Sequence, residues 1–105
     1  MTMDDRKKGF ESKFAHDEEL QFKAHARRAR LVGLWAAEKL GLIGDEATAY
    51  AKTVVISDLK EAGDNDVFEK IRSDFDAKHI QQSDHQIRRQ MDEAMAQAIE
   101  QIKAG

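Results

Sequence analysis

The stretch Phe22–Trp35, FKAHARRARLVGLW, changes character halfway along what reads as one continuous helix. The chain contains no proline, and Gly33 costs only about 1 kcal/mol in a helix interior, so nothing here stops the helix. The cations of the first half are Lys23, Arg27, Arg28 and Arg30, and the large apolar residues of the second half are Leu31, Val32, Leu34 and Trp35. The sequence therefore predicts one helix with two different surroundings.

The two halves of this helix predict different environments. The half from Leu31 to Leu40 is apolar on several sides, which is typical of a helix inside a bundle. The cationic half offers only Leu20 and Phe22 as large apolar groups, so we expect it to project from the body or lie loosely on it. Its arginine forks suit carboxylates or phosphates of another molecule. The simpler alternative is a solvated helix face.

Composition limits the class of protein. The 105 residues are enough for one domain, and the absence of proline favours an all-α fold. No cysteine is present, which excludes disulfides, thiol catalysis and cysteine-bound zinc. A net charge of −3 argues against a general nucleic-acid binder. No apolar run reaches a membrane span and no signal peptide is evident, so we expect a cytoplasmic protein without direct membrane insertion.

Caps and glycines predict a small four-helix bundle in residues 18–105. The helices run from about Glu18 to Leu40, from about Asp45 to Ala62, from the Asp64 cap to about Lys78, and from the Ser83 cap through Ile102. Gly41 is placed to end the first helix in the left-handed conformation, with Leu42 folded back. Ser83 and Gln86 match a capping box.

Residues at helical spacing predict the core. The inward residues are Ala47, Tyr50, Ala51, Val54, Val55 and Leu59 in the second helix, Val67, Phe68, Ile71 and Phe75 in the third, and Ile87, Met91, Ala94, Met95, Ala98 and Ile102 in the fourth, with Ile80 closing one end.

The polar composition of residues 1–17 predicts a flexible arm, because so polar a segment buries too little surface to offset its ordering entropy. Phe10 and Phe14 lie four residues apart and share a face if the arm becomes helical. We expect a segment that orders in a partner's groove. A solvated terminus is the alternative.

No pattern supports catalysis or a cofactor. Asp76 and His79 are three apart, but no second such pair exists to complete a di-metal site. No glycine-rich phosphate loop or nucleophile motif is present. We therefore expect a protein that is not an enzyme and holds no metal or cofactor.

Three blocks of sequence resemble the zeta subunit of bacterial F-type ATP synthases. They are FESKFAHDEELQFKAHARRARLVGLWAAEKLG, VVISDLKEAGDNDVFEKI and SDHQIRRQMDEAMAQA, and together they span most of the chain. The resemblance implies a four-helix fold with a mobile N-terminus. It also implies an inhibitor that binds the catalytic head and blocks ATP hydrolysis while largely sparing synthesis.

The resemblance further implies partners and contacts. In that family the N-terminal region enters an alpha/beta interface near the central rotor, so the alpha, beta and gamma subunits are the expected partners. The expected contacts here are Phe10, Phe14, Phe22, Lys23, Arg27, Arg28 and Arg30.

Three other functions are alternatives to this one. The first is a nucleotide-binding regulatory bundle that senses ATP or ADP through its basic residues, with weak adenine nucleotide binding. The second is a nucleic-acid module using residues 26–30, which the acidic remainder of the chain opposes. The third is a catalytic di-metal bundle. We expect a monomer when the protein is free.

Overall fold

A computed structural model of the protein describes residues 18–60 and 65–104, and every regular element in these ranges is a helix. The helices are α1 (Glu18–Lys39), α2 (Asp45–Lys60), α3 (Asn65–Ala77) and α4 (Asp84–Ala104). The prediction of a small all-α four-helix bundle is confirmed. The predicted arm of residues 1–17, with Phe10 and Phe14, lies outside the described residues, as does the Asp64 cap.

The first helix ends as its sequence predicts. Gly41 has a φ of 80°, and its backbone N–H donates to the carbonyl oxygen of Glu38 at an N···O distance of 3.1 Å. The N–H of Leu42 reaches the carbonyl oxygen of Ala37 at 2.9 Å. This pair of bonds is the Schellman stop, in which a left-handed residue lets the chain satisfy its last carbonyls. The chain then turns back so that α2 packs against α1.

The third helix ends in the same way without a glycine. His79 adopts a φ of 58°, its N–H donates to the carbonyl oxygen of Asp76 at 3.2 Å, and the N–H of Ile80 reaches that of Phe75 at 2.8 Å. The turn folds Ile80 onto the core, as predicted. His79 therefore has a backbone role at a helix end, where a residue other than glycine costs free energy.

The capping box of α4 is confirmed. The N–H of Gln86 donates to Ser83 Oγ at 3.1 Å, and the N–H of Ser83 donates to Gln86 Oε1 at 2.8 Å. Two backbone donors that the helix cannot use internally are thereby satisfied.

The core lies where all four helices meet. Its largest fully buried side chains are Val32, Val54, Val67, Ile71, Phe75 and Ile87. Trp35 packs edge-on against Phe75 with ring centroids 5.7 Å apart. The predicted inward residues Tyr50, Val55 and Phe68 are half-buried against this cluster.

The prediction that Leu59 of α2 lies in the core is wrong. Leu59 is 53% exposed, whereas the preceding residue, Asp58, is buried. The inward face of α2 runs through Ala51, Val54 and Asp58, at spacings of three and four residues. An acidic side chain therefore occupies the position at which a purely apolar stripe would continue.

Gly33 lies where α1 and α2 approach most closely. A Cβ added to Gly33 would lie 2.8 Å from the Cα of Ala51 and 3.2 Å from the Cβ of Val54. Because the nearest of these atoms belongs to the backbone of α2, which cannot move aside easily, only glycine lets the two helices pack at this distance.

Candidate functional site

The cationic half of α1 lies against the body of the bundle. Ala24 and Ala29 are 1% and 0% exposed, and Arg28 is also buried. Of the two arrangements expected for this half, projection from the body is wrong, and the half that was expected to lie loosely on the body is held there by buried side chains. Two large apolar groups are indeed too few to anchor it, but alanines let the helix approach its neighbours closely and Arg28 finds a buried partner.

That partner is Asp58 on the inward face of α2. Arg28 Nη2 lies 3.3 Å from Asp58 Oδ1, and the two side chains are only 3% and 6% exposed. Charges so far from water are tolerated when they are paired. The sequence predicts Arg28 as a partner contact, whereas in the structure its side chain is buried and its guanidinium faces into the bundle. The sequence signal was an aspartate at the inward spacing of α2.

The other predicted contacts of α1 come together at the surface. Phe22, Lys23, Arg27 and Arg30 are all exposed, and Phe22 is exposed over 58% of its surface. They line a groove between α1 and α2, called here the basic groove, whose lining residues are Phe22, Lys23, Ala26, Arg27, Arg30 and Val55. The structure thus brings four of the predicted contact residues into one surface and leaves Arg28 out of it.

The basic groove is positively charged. Lys23 Nζ lies 3.2 Å from Glu19 Oε1, and Arg27 Nη1 donates to Gln101 Oε1 at 3.2 Å. Both are surface contacts, which contribute little and exchange readily with another partner. No acidic side chain of the described residues lines the groove. An apolar ring and three cations are therefore presented to whatever approaches.

Sequence reasoning missed two side chains of α2. Ile56 and Leu59 are 57% and 53% exposed, and they lie three residues apart on the outer side of the helix. Leu59 had been assigned to the core, and Ile56 to no site. The available signal was that Ile56 falls outside the inward spacing of Ala51, Val54 and Asp58.

Polar side-chain contacts also join the helices of the bundle to one another. The Tyr50 hydroxyl donates to Asp74 Oδ2 at 2.7 Å, and Lys70 Nζ lies 2.9 Å from the same oxygen. Burial, and then this hydrogen bond, raise the pKa of Tyr50 above its ordinary range. Arg72 of α3 pairs with Asp76 of the same helix at 2.8 Å, and it joins α3 to α4 through Asp84 at 3.1 Å. The basic groove is thus carried by helices that are tied to one another.

A second cleft lies at the opposite end of α1. It is lined by Trp35, Lys39, Gln82, Gln86, Arg89, Gln90 and Glu93. It combines an aromatic ring with two cations, the chemistry that the nucleotide alternative needs. However, Arg89 Nε lies 3.2 Å from Glu93 Oε1, so an entering anion would compete with a carboxylate.

The described residues contain neither a metal-binding group of side chains nor a helix suited to a membrane span. In residues 18–60 and 65–104, no three histidine, aspartate or glutamate side chains are grouped as a metal site would need. No helix in these ranges is both long enough and apolar enough to cross a bilayer.

Comparison with known proteins gives a match to a family model and matches to solved structures. A family model described as ATPase inhibitor subunit zeta matches residues 1–101. A solved structure, described as a solution NMR structure of the protein, is 46% identical, covers 81% of this chain and 96% of its own, and superposes with a TM-score of 0.72. No curated protein matches the chain.

Proposed function

The chain belongs to the ATPase inhibitor subunit zeta family, and from this premise we propose that it binds the catalytic head of an F-type ATP synthase and blocks ATP hydrolysis while largely sparing synthesis. The observation that carries the proposal is the basic groove. It presents an exposed aromatic ring and three cations on a fixed helix, immediately after the segment 1–17. A partner-binding protein needs such a surface, and an enzyme would need reactive groups instead.

We infer a division of labour at the boundary between residues 17 and 18. Residues 1–17 act as the inhibitory arm, with Phe10 and Phe14 as its apolar anchors. Phe22, Lys23, Arg27 and Arg30 continue the contact along α1. Arg28 does not touch the partner in this proposal, because its pairing with Asp58 serves to hold α1 on the body.

The mode of inhibition follows from rotary catalysis. Each alpha/beta interface has to open and close in turn as gamma rotates. An arm that orders within one interface stabilises one conformation relative to the next, and the differential affinity sets how far the equilibrium shifts. The bundle, too large to follow the arm, serves as a stop. One sense of rotation draws the arm inward and the other expels it, which gives a directional block.

The test compares the whole chain with a variant lacking residues 1–17. Hydrolysis by the purified catalytic head and synthesis by the membrane-bound enzyme are measured with each. We expect the whole chain to abolish hydrolysis with little effect on synthesis, and the truncated chain to inhibit neither. Equal inhibition of hydrolysis by both proteins would reject the arm as the inhibitory element. Circular dichroism checks that the truncated chain keeps its helices.

The same preparations also test the nucleotide-sensing alternative. ATP is titrated into the isolated chain while backbone amide signals are followed. A compact set of shifted amides around the second cleft, together with no inhibition by the whole chain, would support nucleotide sensing and overturn the inhibitor proposal.

A further inference from the structure

Ile56 and Leu59 of α2 are more than half exposed and have no assigned role, and the half-buried Val55 of the same helix lines the basic groove. We propose that Val55, Ile56 and Leu59, called here the α2 strip, form one docking surface with the basic groove. We propose further that its occupant is an acidic amphipathic helix on the catalytic head of the ATP synthase. This rests on the proposed function and adds to it a second contact, made by the body of the bundle and independent of residues 1–17.

The register of the two helices places Val55 and Leu59 next to the groove, and Ile56, three residues before Leu59, lies on the adjoining outer side of α2. Gly33 of α1 lies against Ala51, Arg28 pairs with Asp58, and Val55 lines the groove together with Arg30. The helices α1 and α2 therefore run antiparallel. Leu59 follows Val55 by four residues, about one helical turn. It continues the same side of α2 toward the end of α1 that carries the exposed Phe22.

The distribution of exposed apolar surface singles out this end of the molecule. Among the described residues, four large apolar side chains are more than half exposed: Phe22, Ile43, Ile56 and Leu59. Three of the four belong to the groove or the α2 strip, and Ile43 lies alone in the loop between α1 and α2. Single exposed apolar residues are ordinary on a protein surface, whereas a cluster rimmed by charges marks an interaction site.

The charges of the rim define the occupant. Lys23, Arg27 and Arg30 flank the apolar centre, and no acidic side chain of the described residues lines the groove. A complementary partner presents an apolar stripe flanked by aspartate or glutamate. The seam between two packed helices accepts a third helix through such a stripe. A second copy of this chain fits poorly, because a symmetric contact would place the same cations against each other.

The experiment uses two identical substitutions at the two ends of the α1–α2 hairpin. Ile56→Glu adds a carboxylate to the α2 strip, and Ile43→Glu makes the same change at the loop, where the side chain is 81% exposed. Inhibition of ATP hydrolysis by the purified catalytic head is titrated with each variant. For Ile56→Glu we expect the half-inhibiting concentration to rise about tenfold, the effect of losing one apolar contact of the docking surface. For Ile43→Glu it should stay near the value of the unmodified chain.

A second variant and a folding measurement serve as controls for this result. Leu59→Glu should weaken inhibition as Ile56→Glu does, since both side chains lie in the same strip. Circular dichroism and the urea midpoint should be close to those of the unmodified chain for all three variants, because each residue is more than half exposed. Normal folding with unchanged inhibition by both strip variants would overturn the proposal.

The remaining outcomes separate this proposal from the proposed function. If truncation of residues 1–17 abolishes inhibition while Ile56→Glu leaves it intact, the docking surface fails and the inhibitor function stands. If the whole chain does not inhibit, the proposed function fails first. Sedimentation that shows a dimer dissociated by Ile56→Glu would assign the strip to a second copy. Amide shifts confined to residues 52–59 when residues 1–17 are removed from the free chain would assign it to the chain's own N-terminus. Either result would overturn the proposal.

Discussion

The two halves of α1 are held to the bundle by different forces. From Leu31 to Lys39 the helix buries Val32, Ala36 and Ala37 in the common core and lies against α2 at Gly33. From Glu18 to Arg30 it buries two alanines and an arginine that is paired with Asp58. The apolar half is therefore fixed by removal of hydrocarbon from water, and the basic half by close approach and a desolvated ion pair.

The comparison shows how a cationic helix face can be both anchored and available. Hydrophobic anchoring of the basic half would need large apolar side chains, which would also cover the surface around Phe22. Burial of one arginine anchors the helix through a single inward position. The three exposed cations at the basic groove remain on the outside. The sequence places the structural and the functional arginines next to each other, and only burial distinguishes them.

The largest effect is expected from Arg28→Ala, which tests whether the ion pair anchors the basic half. The substitution leaves the Asp58 carboxylate buried beside no guanidinium. Breaking a buried pair in this way costs about 3–5 kcal/mol of the free energy of unfolding. Urea denaturation followed by circular dichroism measures the loss.

A double variant separates pairing from packing in that result. Arg28→Met combined with Asp58→Leu removes both charges and keeps apolar volume, and such replacements are often neutral or stabilising by about 1–4 kcal/mol. We expect the double variant to recover most of the stability lost in Arg28→Ala. A double variant as unstable as the single one would show that the loss in Arg28→Ala does not come from leaving the Asp58 carboxylate buried beside no guanidinium.

Gly33→Ala tests the apolar half at its closest contact. Alanine favours the helix over glycine by about 1 kcal/mol, so an isolated helix would gain stability. Here the new Cβ would lie 2.8 Å from the Cα of Ala51, and backbone cannot move aside as a side chain can. Such overpacking costs about 1–3 kcal/mol, so we expect a net loss. A net gain in the urea midpoint would mean that α1 and α2 are not locked at this distance.

A smaller loss of stability is expected from changing Tyr50, which tests how α2 is held to α3. Asp58 ties α2 to the basic half of α1, and Tyr50 ties α2 to Asp74 of α3. Tyr50→Phe removes one hydrogen bond to a carboxylate, worth about 1 kcal/mol or somewhat more. Thermal or urea unfolding at pH 7 measures it, and a loss as large as that of Arg28→Ala would contradict the ranking.

The same substitution has a predictable dependence on pH. The pKa of Tyr50 is raised in the folded state, and an unfolded tyrosine ionises near pH 10. Below about pH 10 both states keep the proton and the stabilisation is complete. Above it, the unfolded state releases a proton that the folded state retains, so the free energy of unfolding falls as pH rises. The difference in stability between the unmodified chain and Tyr50→Phe should therefore shrink above about pH 10.

Local chemistry explains how much of the fold was predictable from sequence. Gly41 and the Ser83–Gln86 capping box mark helix ends by backbone hydrogen bonding within a few residues, so their outcome depends on no distant contact. Helical periodicity likewise gave the cores of α3 and α4. The error at Leu59 arose because the spacing rule was applied to apolar residues only, and Asp58 one position earlier satisfies the spacing better.

The candidate site was only partly predictable, because burial of a charge depends on a partner distant in sequence. Arg28 and Asp58 are 30 residues apart, and nothing local to either one shows that they meet. Arg27, Arg28 and Arg30 therefore looked equivalent in the sequence. The basic groove needs both α1 and α2, so Val55 could not be assigned to it, and Ile56 could not be recognised as a neighbour, before the register of the two helices was known.

The smallest effect on stability is expected from reversing the two exposed arginines of the groove, Arg27→Glu with Arg30→Glu. Exposed charges contribute at most about 1 kcal/mol, so the urea midpoint should hardly move, whereas adding Arg28→Glu should unfold the chain. Inhibition of the catalytic head should nevertheless weaken markedly, and more at low salt, where charges are less screened. The matched control is Lys78→Glu with Arg89→Glu, an equal change in charge at the opposite end of the bundle. Weakened inhibition by the groove pair alone would assign the effect to a local contact, and equal weakening by both pairs would reduce it to net charge and contradict the division between anchoring and exposed arginines.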